Sequence, residues 1–250
     1  MKEYLPAIKQ LRTDIADTRK SELLATIASK DIIVVKGEYD RVEDILEEMQ
    51  INHTMFNYGI SRSANLYPNQ TVLVNCPGAN ICIPVVSDFV KSGGWLVTTD
   101  WALEKVIEEA FPRTIYKSGK TFDDVVEISP CESQITKGMP DKSQFWLEGS
   151  SHLIGIKDAN NTLDTSNDTP SSSNGNRIKI LIKSNELSQK YGKSNIVMVG
   201  FNWGKGKVFH SISHFILQKS KSGKTRLQDA YSSLVLLTNI LAQKKANQER

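Results

Sequence analysis

Cys76, Asp100, His210 and His214 are the residues whose types and settings could support chemistry. A thiol becomes a nucleophile when its surroundings lower its pKa, and an imidazole titrates near neutral pH and can act as the base beside it. Cys76 stands in Val-Asn-Cys-Pro-Gly (74–78), Asp100 in Thr-Asp-Trp (99–101), and both histidines in Val-Phe-His-Ser-Ile-Ser-His (208–214). Each also has a plainer reading. An isolated cysteine is commonly a small buried hydrophobe, and a buried histidine is commonly a hydrogen-bonded structural group. An aspartate ahead of a helix is a good N-cap, and a capping carboxylate has its pKa lowered by the helix dipole, which makes it a poor base. If 208–214 is one strand, its two histidines stand about 13 Å apart, too far to share an ion. No metal and no cofactor is therefore expected.

The elements that must position these residues can be read from periodicity. Trp95 to Thr98 is a short apolar run, and Trp101, Leu103, Val106, Ile107 and Ala110 recur at helical spacing, so the period switches at Thr99-Asp100. That junction falls at the carboxy end of a strand, where open α/β sheets bind ligands. The spacing predicts a ligand cleft formed by Asn75, Gly78, Thr99 and Trp101. Asp31 to Lys36 and Thr71 to Asn75 read as buried strands and His53 to Tyr58 as a shorter one, with helices over Val42–Met49 and Val85–Val90. Repeated βα alternation implies a parallel sheet with helices on both faces. Val125–Ile128, Phe145–Leu147, Leu153–Ile156, Ile178–Ile182, Ile196–Phe201 and Val208–Ile212 read as strands with few helices between them, so an antiparallel extension is expected in the second half.

Asp40-Arg41-Val42-Glu43 and Thr225-Arg226-Leu227-Gln228 have the pattern of capping boxes. The first places Glu43 on a solvated face; the second opens a strongly amphipathic last helix through Leu227, Tyr231, Leu234, Leu237 and Leu241. Residues 1–30 form a helical segment, broken or double, able to pack on the domain or on a partner. The α/β domain spans 31–243. Within it, 158–177 is rich in Asn, Ser, Thr and Asp and reads as a flexible insertion contributing little to the core.

A chain of 250 residues with formal charge +3 has neither the basic excess of a nucleic-acid binder nor an apolar run long enough for a membrane span. Three cysteines without close spacing suggest reduced thiols in the cytoplasm and no disulfide framework or zinc finger. Gly223-Lys224-Thr225 lacks the upstream glycine of a phosphate loop, since position 218 is Gln218. Trp95, Trp101, Trp146 and Trp203 could include a ligand-stacking ring, although packing is their ordinary use.

The strand–elbow–helix unit at 95–110, the turn at 74–78 and Gly-Lys-Gly-Lys-Val-Phe-His-Ser-Ile-Ser-His-Phe at 204–215 together resemble the class I glutamine amidotransferase-like superfamily, nearest to its trehalose-utilisation (ThuA-like) members. The resemblance implies a three-layer flavodoxin-like α/β fold. It also implies oxyanion-hole amides at the 74–78 turn, a nucleophilic cysteine at the elbow and a late histidine commonly followed two residues on by glutamate. This chain has Asp100 at the elbow, and Ile212 and Ile216 two residues beyond its histidines. The expected function is therefore a non-catalytic binding or assembly module with a protein partner or self-association, and room for a small polar ligand. Two enzymatic alternatives stay open: a ThuA-like enzyme acting on a sugar or small polar metabolite through Asp100 and His214, and a hydrolase or redox sensor using Cys76.

Overall fold

β-branched runs make the centre of the sheet. Ile32–Val35 (β1), Thr71–Val74 (β3) and Trp95–Thr99 (β4) are buried at every position, which requires cover on both faces. They pair in parallel, with Thr54–Phe56 (β2) outside β1. At about 1.5–3 kcal/mol for each fully buried aliphatic side chain, these strands supply much of the core. The computed structural model describes residues 1–78, 80–157, 177–216, 218 and 221–249, so the insertion expected at 158–177 lies, apart from Arg177, outside the described residues.

The second half completes the sheet as expected. Gly206–Ser211 (β12) lies parallel to β4, and Ile196–Trp203 (β11), Ile178–Lys183 (β10) and Ser129–Pro130 (β7) continue antiparallel from it. The order is β2-β1-β3-β4-β12-β11-β10-β7. Two small antiparallel ladders stand apart, Ile115–Lys120 (β5) with His152–Ile156 (β9) and Asp124–Glu127 (β6) with Gln144–Leu147 (β8). β5 escaped the sequence reading because Lys-Ser-Gly-Lys at its end has no apolar alternation. The helix Asn185–Tyr191, capped by Ser184 Oγ on the Leu187 amide at 3.2 Å, escaped it because two turns carry too little periodicity.

Helices at both chain ends pack on one another. Leu5–Ile15 (α1) and Arg19–Ala25 (α2), broken at Ala16–Thr18, lie against Leu227–Gln248 (α7). α7 is thereby covered on more than one side, and Ser232 to Ala242 are all buried; the simple amphipathic helix expected from its leucines is corrected, because α1 and α2 occupy its outer face. Val42–Glu48 (α3) and Ile83–Ser92 (α4) follow β1 and β3.

Neither expected capping box forms. Asp40 is drawn into the core, and the α3 amide of Val42 is capped by Asn75 Oδ1 at 3.2 Å, from the turn after β3. Asn75 Nδ2 donates to Glu43 Oε2 at 2.7 Å, so Glu43 is buried and not on the solvated face. At α7, Thr225 Oγ1 donates to the Gln218 carbonyl, and Arg226 pairs with Asp229 instead. Distant partners outcompeted the local motif in both cases.

The β11–β12 hairpin turns at Gly204, with φ +58°, and then slides against α4. A Cβ on Gly206 would stand 2.2 Å from both the Val90 and Gly94 carbonyl oxygens, which are backbone atoms with no room to move. Gly206→Ala is therefore expected to cost about 1–3 kcal/mol in urea unfolding, the range for an overpacked interior. Gly149→Ala, whose Cβ would meet nothing closer than 3.6 Å, should change stability by less than about 0.5 kcal/mol.

Candidate functional site

Asp100 ends β4 with φ +38°, a conformation that non-glycine residues seldom adopt. Its amide donates to the Ser211 carbonyl at 2.8 Å, continuing the β4–β12 pairing one residue past the strand. The turn then enters a π-helical segment, Leu103–Ile107, before a last α-turn at Glu108–Ala110. An α-helix beginning at Trp101 was expected; one wider turn intervenes, a feature frequent at functional positions.

The capping role expected for Asp100 is not observed. Its Oδ1 accepts the His152 amide of β9 at 2.7 Å, its Oδ2 faces the Cys76 thiol with Sγ at 3.9 Å, and the helical segment begins without a side-chain cap. The electrostatic expectation reverses with it. Burial raises the Asp100 pKa, with His214 and the His152 amide opposing. Asp40 is shifted the same way, burial again outweighing His214. It accepts from Thr99 Oγ1 at 3.3 Å through Oδ2, while its Oδ1 is buried without a partner.

The three sequence candidates meet at one point. One donor atom from each of Cys76, Asp100 and His214 lies within 4.8 Å of the others, and all three residues are buried. Burial pushes the Cys76 thiol pKa up, and the neighbouring Asp100 carboxylate adds to the rise, so the thiol is held in its protonated form. His214 lies beyond the end of β12, on a loop stitched to β8: Ser213 Oγ donates to the Trp146 carbonyl at 2.7 Å, and Gln218 Oε1 accepts the Trp146 amide at 2.9 Å. The Trp146 ring meets the imidazole edge-on at 6.3 Å. His210 stays apart, its Nδ1 2.8 Å from Thr98 Oγ1 across the β4–β12 register.

The expected cleft divides. Gly78 and Trp101 line an open hollow of about 630 Å³ with Asn57, Tyr58, Asn80, Ile81 and Lys105. A Cβ at Gly78 would come within 3.1 Å of the Trp101 ring, so glycine is what lets the indole lie against this turn. Asn75 and Thr99 are buried beneath it, occupied with α3 and with Asp40, around a cavity of only about 10 Å³. Sequence reasoning missed Asp40, read as a cap, and His152; their only signal was a polar residue flanking a buried strand.

No family model matches the chain, and no curated protein matches it. Solved structures do. Over 90% of this chain and 99% of the other, it is similar to a chain of PurLQS from Thermotoga maritima (TM-score 0.53, 9% identity). Over 86% and 89% it is similar to a putative ThuA-like protein from Parabacteroides merdae (TM-score 0.50, 11% identity). A glutamine amidotransferase from Thermotoga maritima matches over 89% and 97% (TM-score 0.47, 9% identity). The chain spans about a third of the length of the β-galactosidase and exo-mannosidase chains that it also matches. The likenesses to the PurLQS chain and to the ThuA-like protein show the fold alone: a three-layer, flavodoxin-like α/β architecture.

His210 gives the pH dependence a clear sign. Fully buried, its pKa is lowered to about 3 by burial and, to a lesser extent, by His152. The unfolded chain binds this proton near pH 6.5 and the folded one near 3, so the stabilisation is whole above about 6.5 and is lost as pH falls towards 3. His210 should remove about 2 kcal/mol of stability between about pH 7 and pH 5. Denaturant unfolding at the two pH values should show this loss reduced by that amount in His210→Asn; an unchanged loss would mean that His210 is protonated in the fold.

Proposed function

We propose that this protein is a non-catalytic, amidotransferase-like binding module of the cytoplasm, which engages a protein partner through the open end of its parallel sheet. One contrast carries the reading: Cys76, Asp100 and His214 are closed over, while the hollow beside them is open. The elbow offers no thiol, and the one thiol nearby is buried and protonated. Around the hollow, the loops that leave β2 and β4 present Tyr58 and Trp101, with Tyr58 92% exposed. Tyrosine and tryptophan dominate the energetics of protein interfaces, and Lys105, Asn57 and Asn80 supply polar contacts at the rim. Among the described residues no helix is long and apolar enough to cross a membrane.

A second reading is a ThuA-like enzyme acting on a small polar metabolite through Asp100 and His214. It has the convergence of those two groups with Cys76 in its favour. Burial of all three argues against it, since a substrate atom must reach the reacting groups.

Proximity labelling in cells separates the two. Partners labelled by wild type should fall at least tenfold with Tyr58→Ala/Trp101→Ala and persist with Phe122→Ala, which removes an exposed ring elsewhere. An unchanged partner set in the double variant would overturn the assignment of the binding face.

A further inference from the structure

Cys76, Asp100 and His214 bring three kinds of donor to one buried point from three separate loops. The Sγ of Cys76, a carboxylate oxygen of Asp100 and a ring nitrogen of His214 are mutually within 4.8 Å, and the Sγ–Oδ2 edge is 3.9 Å. Internal hydrogen bonds leave this set underused. His214 Nε2 is buried and without a partner, and the thiol–carboxylate contact is long. Asp100 spends Oδ1 on the His152 amide and keeps Oδ2 towards the cluster. A backbone bond to the outer oxygen is the kind of support that orients a ligating carboxylate.

We propose that Cys76, Asp100 and His214 form a zinc site that ties the turn after β3, the elbow after β4 and the loop after β12 into one unit. Thiolate, imidazole and carboxylate together suit Zn²⁺ and not Mg²⁺ or Ca²⁺, which take oxygen donors. Tetrahedral bonds of about 2.0–2.3 Å place donors about 3.3–3.8 Å apart, so the Cys76–Asp100 edge already nearly fits and the edges to His214, within 4.8 Å, need to close by at most about 1–1.5 Å. On binding, the thiol proton passes to solvent and sulfur ligates as thiolate. Asp40, whose Oδ1 is also buried without a partner, is near enough to act electrostatically on Cys76 and to feel His214, but it stands outside the three-residue cluster. The ion lies under the surface, so its role is structural, and the proposal stands apart from the partner-binding hollow.

Untagged full-length protein loaded with Zn²⁺ and passed over a chelating resin should retain one equivalent by elemental analysis and melt at a higher temperature than the stripped protein. Cys76→Ser and His214→Gln should each weaken retention at least tenfold. Should either variant fold poorly, Co²⁺ substitution in the wild type reads the site directly: a thiolate-to-cobalt charge-transfer band with tetrahedral ligand-field bands is expected. Retention no greater than in the Cys76→Ser/His214→Gln double variant would overturn the proposal, as would Co²⁺ bound without the charge-transfer band.

Discussion

A carboxylate buried at the end of the central strand, in a backbone conformation that L-residues seldom adopt, is the constraint on which this end of the molecule depends. Asp100 is held by its amide on Ser211 of β12 and by Oδ1 on the His152 amide of β9. The first bond fixes where the main sheet stops, and the second attaches the β5–β9 ladder to it. Removing the carboxylate would leave the His152 amide buried and unpaired, a loss of about 1–3 kcal/mol. Strained, buried polar residues persist where the surroundings over-determine them, and here two sheets and the 74–78 turn do so.

The same packing separates the fold from the chemistry that the end of a parallel strand can house. An elbow at the end of a parallel strand is the natural place for a reacting group, and this chain keeps the elbow while filling the space beneath it. Asn75 turns inwards to bond Val42 and Glu43 of α3, and Thr99 donates to Asp40 Oδ2, while Asp40 Oδ1 stays without a partner. What stays open is the neighbouring hollow, where Trp101 lies against Gly78. Fold and function therefore have to be argued from different atoms.

Periodicity made the framework legible. β1, β3 and β4 are continuous runs of β-branched, aromatic and leucine residues, and burial at every position follows from that pattern. The convergence of Cys76, Asp100 and His214 was legible as three candidates, because each follows a buried strand at the same end of a parallel sheet. Partners set by distance in space were not legible. Nothing local to Asp40 shows that Asn75 will cap α3 in its place, and nothing local to Asp100 shows that the His152 amide will take its carboxylate. The expected lowering of the Asp100 pKa failed for this reason: the sign depended on burial beneath β9, a contact 52 positions along the chain. The expectation of no metal weighed His210 against His214, whereas the donors that meet come from three loops.

Thiol reactivity tests the closed reacting position most directly. In chelator-treated native protein at neutral pH, iodoacetamide should label the half-buried Cys82 first and reach Cys76 only as fast as the protein unfolds. Rapid alkylation of Cys76 ahead of Cys82 would mean an accessible, ionised thiol beside His214, and would contradict the account of this protein as a non-catalytic module.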